Sequence, residues 1–140
     1  MLKAACASLV PGATLGGVYA KVRTALENMD SKMIPYFPSS LGCALQATMN
    51  PMTDKQIMAD SKAIVEAHEI YHLKFGFYSL PKPEKFKGEF DTYSMQIAET
   101  VLISAEAEAQ IMTEVPRRYH DISYLLEEQD DEKEEKENES

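Results

Sequence analysis

A chain of 140 residues, 44% of them apolar, is long enough for one domain with its own core and too short for two of ordinary size. Its formal charge of −9 is unevenly spread: residues 127–140 hold nine acidic side chains and two lysines, so the remainder is close to neutral and lacks the basic excess that nucleic-acid phosphates demand. Two cysteines, Cys6 and Cys43, are too few for a disulfide framework and point to a reducing, cytoplasmic setting.

The first ten residues, "MLKAACASLV", have the lysine and small apolar residues of a leader, but the apolar run is weak and Pro11 and Gly12 interrupt it. No stretch approaches the roughly 20 apolar residues that a spanning helix needs. After the breaker "GATLGG", the segment "VYAKVRTALENM" sets Val18, Val22, Ala25, Leu26 and Met29 at helical spacing. The stretch "IPYFPSSLG" reads as an irregular connection, and a short helix fits "CALQATM".

A second helix is predicted from Thr53 to about Phe75. "TDKQ" has the form of a capping box, strong helix formers follow, and Gly76 suits a stop. Prolines 81 and 83 and lysines 82, 85 and 87 then mark a loop, preceded by a short extended piece at 75–80. A third helix is predicted from about Asp91 to Val115, ended by Pro116. "RRYHDISYLL" allows one more short helix, and the acidic stretch 127–140 lacks apolar side chains to bury and reads as a disordered tail. The expected fold is mainly α: a small helical bundle over residues 1–126 followed by that tail.

Within the second predicted helix lies "AHEIYH", which places His68, Glu69 and His72 in the order His-Glu-x-x-His in a chain with only three histidines. On a helix, residues four apart share a face, so two imidazoles can meet one ion at about 2.0–2.1 Å each. A glutamate one position on reaches a water bound to that ion, whose pKa the metal lowers toward about 7. A catalytic zinc wants a third protein ligand, and a histidine six residues beyond His72 is absent, since position 78 is Tyr. The same pattern also suits an ordinary surface helix with two histidines on it.

The third predicted helix carries "SAEAEAQIM", and with it the chain resembles the gluzincin-type metallopeptidases, in which His-Glu-x-x-His is followed by Glu-x-x-Ala and then Asp or Asn. The resemblance covers His68 to Ala109 and implies that Glu106 is the third Zn²⁺ ligand and that Ala109 permits close helix packing. Gln110 falls on the supporting position, where it departs from the family's Asp or Asn and adds no charge to raise ligand basicity. Glu99 shares the Glu106 stripe and is the alternative ligand. The resemblance also implies that Tyr119 or His120 donates to the oxyanion of the intermediate.

Two functions follow. One is a zinc-dependent hydrolase of a peptide or protein substrate: His68, His72 and Glu106 hold the metal, Glu69 is the general base, and the lysine-rich loop 82–87 flanks the cleft. The other is a non-enzymatic helical interaction protein whose acidic tail engages a basic protein partner.

Overall fold

The computed structural model describes residues 1–45, 55–84, 90–106 and 109–113. It is an α/β domain and not the helical bundle expected from the sequence. Two helices, α1 (Leu2–Ser8) and α2 (Leu15–Asp30), and a 3-10 helix (Ser31–Tyr36) precede the strands β1 (Ser40–Leu45), β2 (Gln56–Met58), β3 (Ile70–Pro81), β4 (Thr92–Leu102) and β5 (Gln110–Ile111). The strands form one antiparallel sheet in the order β2-β1-β3-β4-β5.

The expected helix over 18–29 is present and begins three residues earlier. The Thr14 hydroxyl oxygen accepts the Gly17 N–H at 3.2 Å and caps it. Its buried stripe is Leu15, Val18, Tyr19, Val22 and Leu26. Gly16 stands in the first turn because Ser61 O passes close by: a Cβ there would lie 2.7 Å from it. The Tyr19 hydroxyl donates to Pro38 O at 2.8 Å and fixes α2 to the chain entering β1.

The other two predicted helices are strands. Residues 56–75 run through β2, a loop and the first half of β3, and Gly76 lies inside β3 instead of stopping a helix. Residues 92–102, expected as helix, form β4. The reason is visible in the side chains: Ile70, Tyr71, Phe75, Phe77 and Tyr78 in β3, and Tyr93, Ile97, Thr100 and Val101 in β4, are β-branched or aromatic and favour a pleated, half-buried surface. Tyr71, Leu73 and Phe75 are buried while Ile70, His72 and Lys74 are less so, the period-two pattern of a sheet with one covered face. "CALQATM" begins in β1, and its residues from 46 on, with Thr53, lie outside the described residues.

The covered face packs on the helices. Ala5, Cys6 and Leu9 from the α1 end and Leu15, Val18 and Val22 from α2 share one core with Leu41, Ile57, Val65, Tyr71, Leu73, Val101 and Ile103. Among the described residues no element packs on the other face of the sheet. Across it the register sets Cys43, His72 and Thr100 in one row and Lys74 beside Ala98. Among the described residues no helix is long and apolar enough to cross a membrane.

Candidate functional site

The His-Glu-x-x-His stretch crosses from a turn into a strand. The incoming segment is stitched to the start of α2: Ala63 O accepts the Leu15 N–H and Val65 O the Gly12 N–H, each at 2.9 Å, while the Val65 N–H donates to Ala13 O. His68 then takes φ 67°, in the left-handed region that costs most side chains some strain. The turn is held by paired bonds to the end of β4: the His68 N–H donates to Ile103 O and the Ile103 N–H to Glu69 O, both at 2.8 Å. His68 and His72 are therefore not stacked on one helical face. His68 is exposed at the turn and His72 sits on the open sheet face, opposite Cys43 and Thr100.

Glu69 immediately precedes β3, and Tyr71 follows two residues later. Its carboxylate accepts three hydrogen bonds: from Lys55 Nζ at 2.5 Å, from the Glu66 N–H at 2.9 Å and from the Tyr71 hydroxyl at 2.9 Å. Lys55 also lies 3.1 Å from Glu66. Burial pushes the Glu69 carboxyl up, and the bonds from Lys55, the Glu66 N–H and Tyr71 together carry it below the usual value. Lys55 is held above its usual value, chiefly by the Glu69 bond acting against burial. Burial and then the Glu69 carboxylate raise Tyr71 well beyond the phenol range, so the hydroxyl stays a donor. A carboxylate so engaged pins the strand's start; it is not poised to take a proton from a water.

Glu106 lies in the bend after β4, exposed, with its N–H donating to Ser104 Oγ at 3.3 Å. With His68, Ser104 and Gln110 it lines a cleft of about 350 Å³ whose apolar wall is Leu102 and Ile103. Two of the proposed ligands thus share a cleft that His72 does not line. Ala109 is buried in the core, without the packed helix pair for which the resemblance wanted a small residue. Glu99 is on the covered side, 1% exposed, and accepts from the Thr113 hydroxyl at 2.6 Å. Tyr119, His120 and the acidic tail lie outside the described residues.

Whether these groups suit a divalent metal follows from the donor set. Among the described residues, no group of three or more His, Cys, Asp or Glu side chains is placed to hold an ion. The open face of β1, β3 and β4 offers one imidazole, one thiol and the Lys74 ammonium, with no carboxylate in its rows. An ammonium repels a cation, and a hydrolytic metal needs three ligands and hard oxygen or nitrogen donors. The described residues do not fit the metal. Sequence reasoning missed Lys55, Tyr71 and Lys74. The alternation Glu69, Tyr71, Leu73, Phe75 was the signal that could have found the first two, by setting Glu69 beside Tyr71 on one strand face.

The sequence pattern of metallopeptidase family M24 matches residues 1–105. Among curated proteins, FACT complex subunit SPT16 of Dictyostelium discoideum is 24% identical over 125 residues, 89% of this chain and 12% of that protein. Among solved structures, the N-terminal domain of FACT complex subunit SPT16 from Cicer arietinum (chickpea) superposes with a TM-score of 0.71 at 23% identity, over 83% of this chain and 27% of that one. Prolidase from Pyrococcus furiosus does so with a TM-score of 0.62 at 21% identity, over 82% of this chain and 30% of that one. The chain spans less than a third of each of these three proteins, and at these identities the solved structures speak for the fold alone.

Proposed function

This chain belongs to metallopeptidase family M24, by a match over residues 1–105, and we propose that within the family it is a protein-binding module and not a hydrolase. The observation that carries the reading is the state of Glu69, the one glutamate placed by sequence to activate a water. It is tied to Lys55 and Tyr71, and the nearby open face bears Lys74 in place of carboxylates. A general base must be within reach of a water and have lone pairs to spare; this one has three donors on it. The Dictyostelium discoideum relative is a subunit of the FACT complex, which agrees with a role in assembly.

The partner is a protein with a basic segment, engaged by the nine acidic side chains of residues 127–140, and that contact weakens with added salt. The hydrolase reading keeps one specific support, the cleft shared by His68 and Glu106, and it needs a third donor from outside the described residues.

An assay of the purified chain on short peptides, X-Pro peptides included, with Zn²⁺ or Mn²⁺ added, separates the two readings. No turnover above buffer is expected with either ion. Metal-dependent turnover that disappears in Glu69→Gln would restore the hydrolase.

A further inference from the structure

The cleft beside the turn at His68 takes its walls from three places in the chain. The turn supplies His68, the bend after β4 supplies Ser104, Ala105 and Glu106, and β5 supplies Gln110. Its volume of about 350 Å³ falls in the range of small-ligand pockets. The frame is held by backbone bonds. The His68 N–H donates to Ile103 O and the Ile103 N–H to Glu69 O, and Leu102 pairs with Gln110 in the ladder.

The charge around it is of one sign. Residues 63–73 and 99–113, the two stretches that meet here, contain Glu66, Glu69, Glu99, Glu106 and Glu108 and no lysine or arginine. Glu66 and Glu69 are paired with Lys55, and Glu99 is buried against the Thr113 hydroxyl. Glu106 differs. Its N–H is bonded to Ser104 Oγ, but its exposed carboxylate has no ion pair or hydrogen bond among the described residues.

We propose that this cleft takes one arginine side chain of the basic partner; the inference rests on the protein-binding reading above and names the group that the partner inserts. A guanidinium is planar and carries its donors in a fork, so it makes two parallel bonds to one carboxylate and lays its face on an aromatic ring. Glu106 offers the carboxylate and His68 the ring. The Gln110 side-chain oxygen accepts a remaining N–H, and the methylene stem lies along Leu102. A lysine ammonium has neither fork nor plane, so arginine is preferred. The acidic stretch 127–140 attracts the neighbouring basic residues at long range, and the cleft adds a contact that salt screens less.

Proton–carbon NMR of the full chain reads the cleft directly, with the imidazole signals assigned from His72→Ala and His120→Ala. Acetyl-Gly-Arg-Gly amide should shift the His68 signals saturably and leave those of His72 in place. The citrulline version, which keeps the shape and loses the charge, should bind about tenfold more weakly, and the lysine version should fall between. Glu106→Gln should weaken the arginine peptide by about the same factor without moving the melting temperature, since the side chain is exposed. His68 signals that do not move overturn the proposal. So does equal binding of the citrulline or the lysine peptide, or unchanged binding in Glu106→Gln. A hexa-arginine peptide tested alongside separates that failure from failure of the protein-binding reading. Salt-dependent binding with His68 unmoved removes the cleft alone; no binding at all removes the basic partner as well.

Discussion

Gly42→Ala is expected to remove most or all of the domain's stability, at least ~4 kcal/mol from the 5–15 kcal/mol typical of a domain. Gly42 lies in β1 at φ +123°, in the region that only glycine occupies without strain. It faces Leu73 in register, and a Cβ there would overlap the carbonyl oxygen of His72 and lie 2.9 Å from its carbonyl carbon. These are backbone atoms of the central strand and cannot turn aside as a side chain can. The β1–β3 ladder must open, which uncovers Leu41 and Leu73, both nearly fully buried. Urea unfolding of Gly42→Ala beside wild type checks this. A loss below about 1 kcal/mol would mean that β1 and β3 do not meet at this register.

Tyr71→Ala should cost about 3–5 kcal/mol, and Tyr71→Phe only about 1–2 kcal/mol. The ring is fully buried between the helices and β4, so its removal leaves a cavity. The hydroxyl contributes separately, as one of three donors to Glu69. The two variants also differ in their pH dependence. Glu69 is lowered in the folded chain, so its contribution is present above the unfolded value of 4.5 and is lost as pH falls through the folded one. Removing one donor raises the folded value toward the unfolded one, and the acid midpoint of Tyr71→Phe should move to higher pH. Lys55, raised in the folded chain, contributes below 10.5 and loses that contribution as pH rises through its folded value. Denaturant melts at pH 7 and pH 4 measure both effects. A Tyr71→Phe variant as stable as wild type, or an acid midpoint that stays in place, would remove Glu69 from its structural role.

The sequence made α2 legible because Val18, Val22 and Leu26 recur at helical spacing, while its start at Thr14 and Leu15 lay inside the stretch read as a breaker. It misled over β3 and β4. In "AHEIYHLKF" the apolar residues Ile70, Tyr71, Leu73 and Phe75 satisfy both a helical stripe and a strand running into a covered core. The motif His-Glu-x-x-His tipped the balance toward helix. What decides is tertiary: β3 is the middle strand, paired with β1 on one side and β4 on the other, and those ladders do not register in a local window. The β-branched and aromatic content favoured the strand, and Gly76 belonged to it because Met95 O crosses too close for any Cβ.

The candidate site was half legible. His68 and Glu106 do come to one cleft, although by a turn and a bend and not by two packed helices. His72 could not be placed correctly once its spacing from His68 was read as one helical turn. Glu69 was singled out for its chemistry, and its partner Lys55, fourteen residues earlier, meets it only in the folded chain. The neutral body and acidic end were read directly from the charges, since net charge does not depend on fold.

The claim on which the rest depends is that His68, Glu69 and His72 belong to a turn and a strand and do not assemble a metal site. Elemental analysis of the untagged chain after equilibration with Zn²⁺ and desalting tests it most directly. The expected content is well below one ion per chain, unchanged in His72→Ala. One tightly held ion per chain, lost in His72→Ala, would contradict the account.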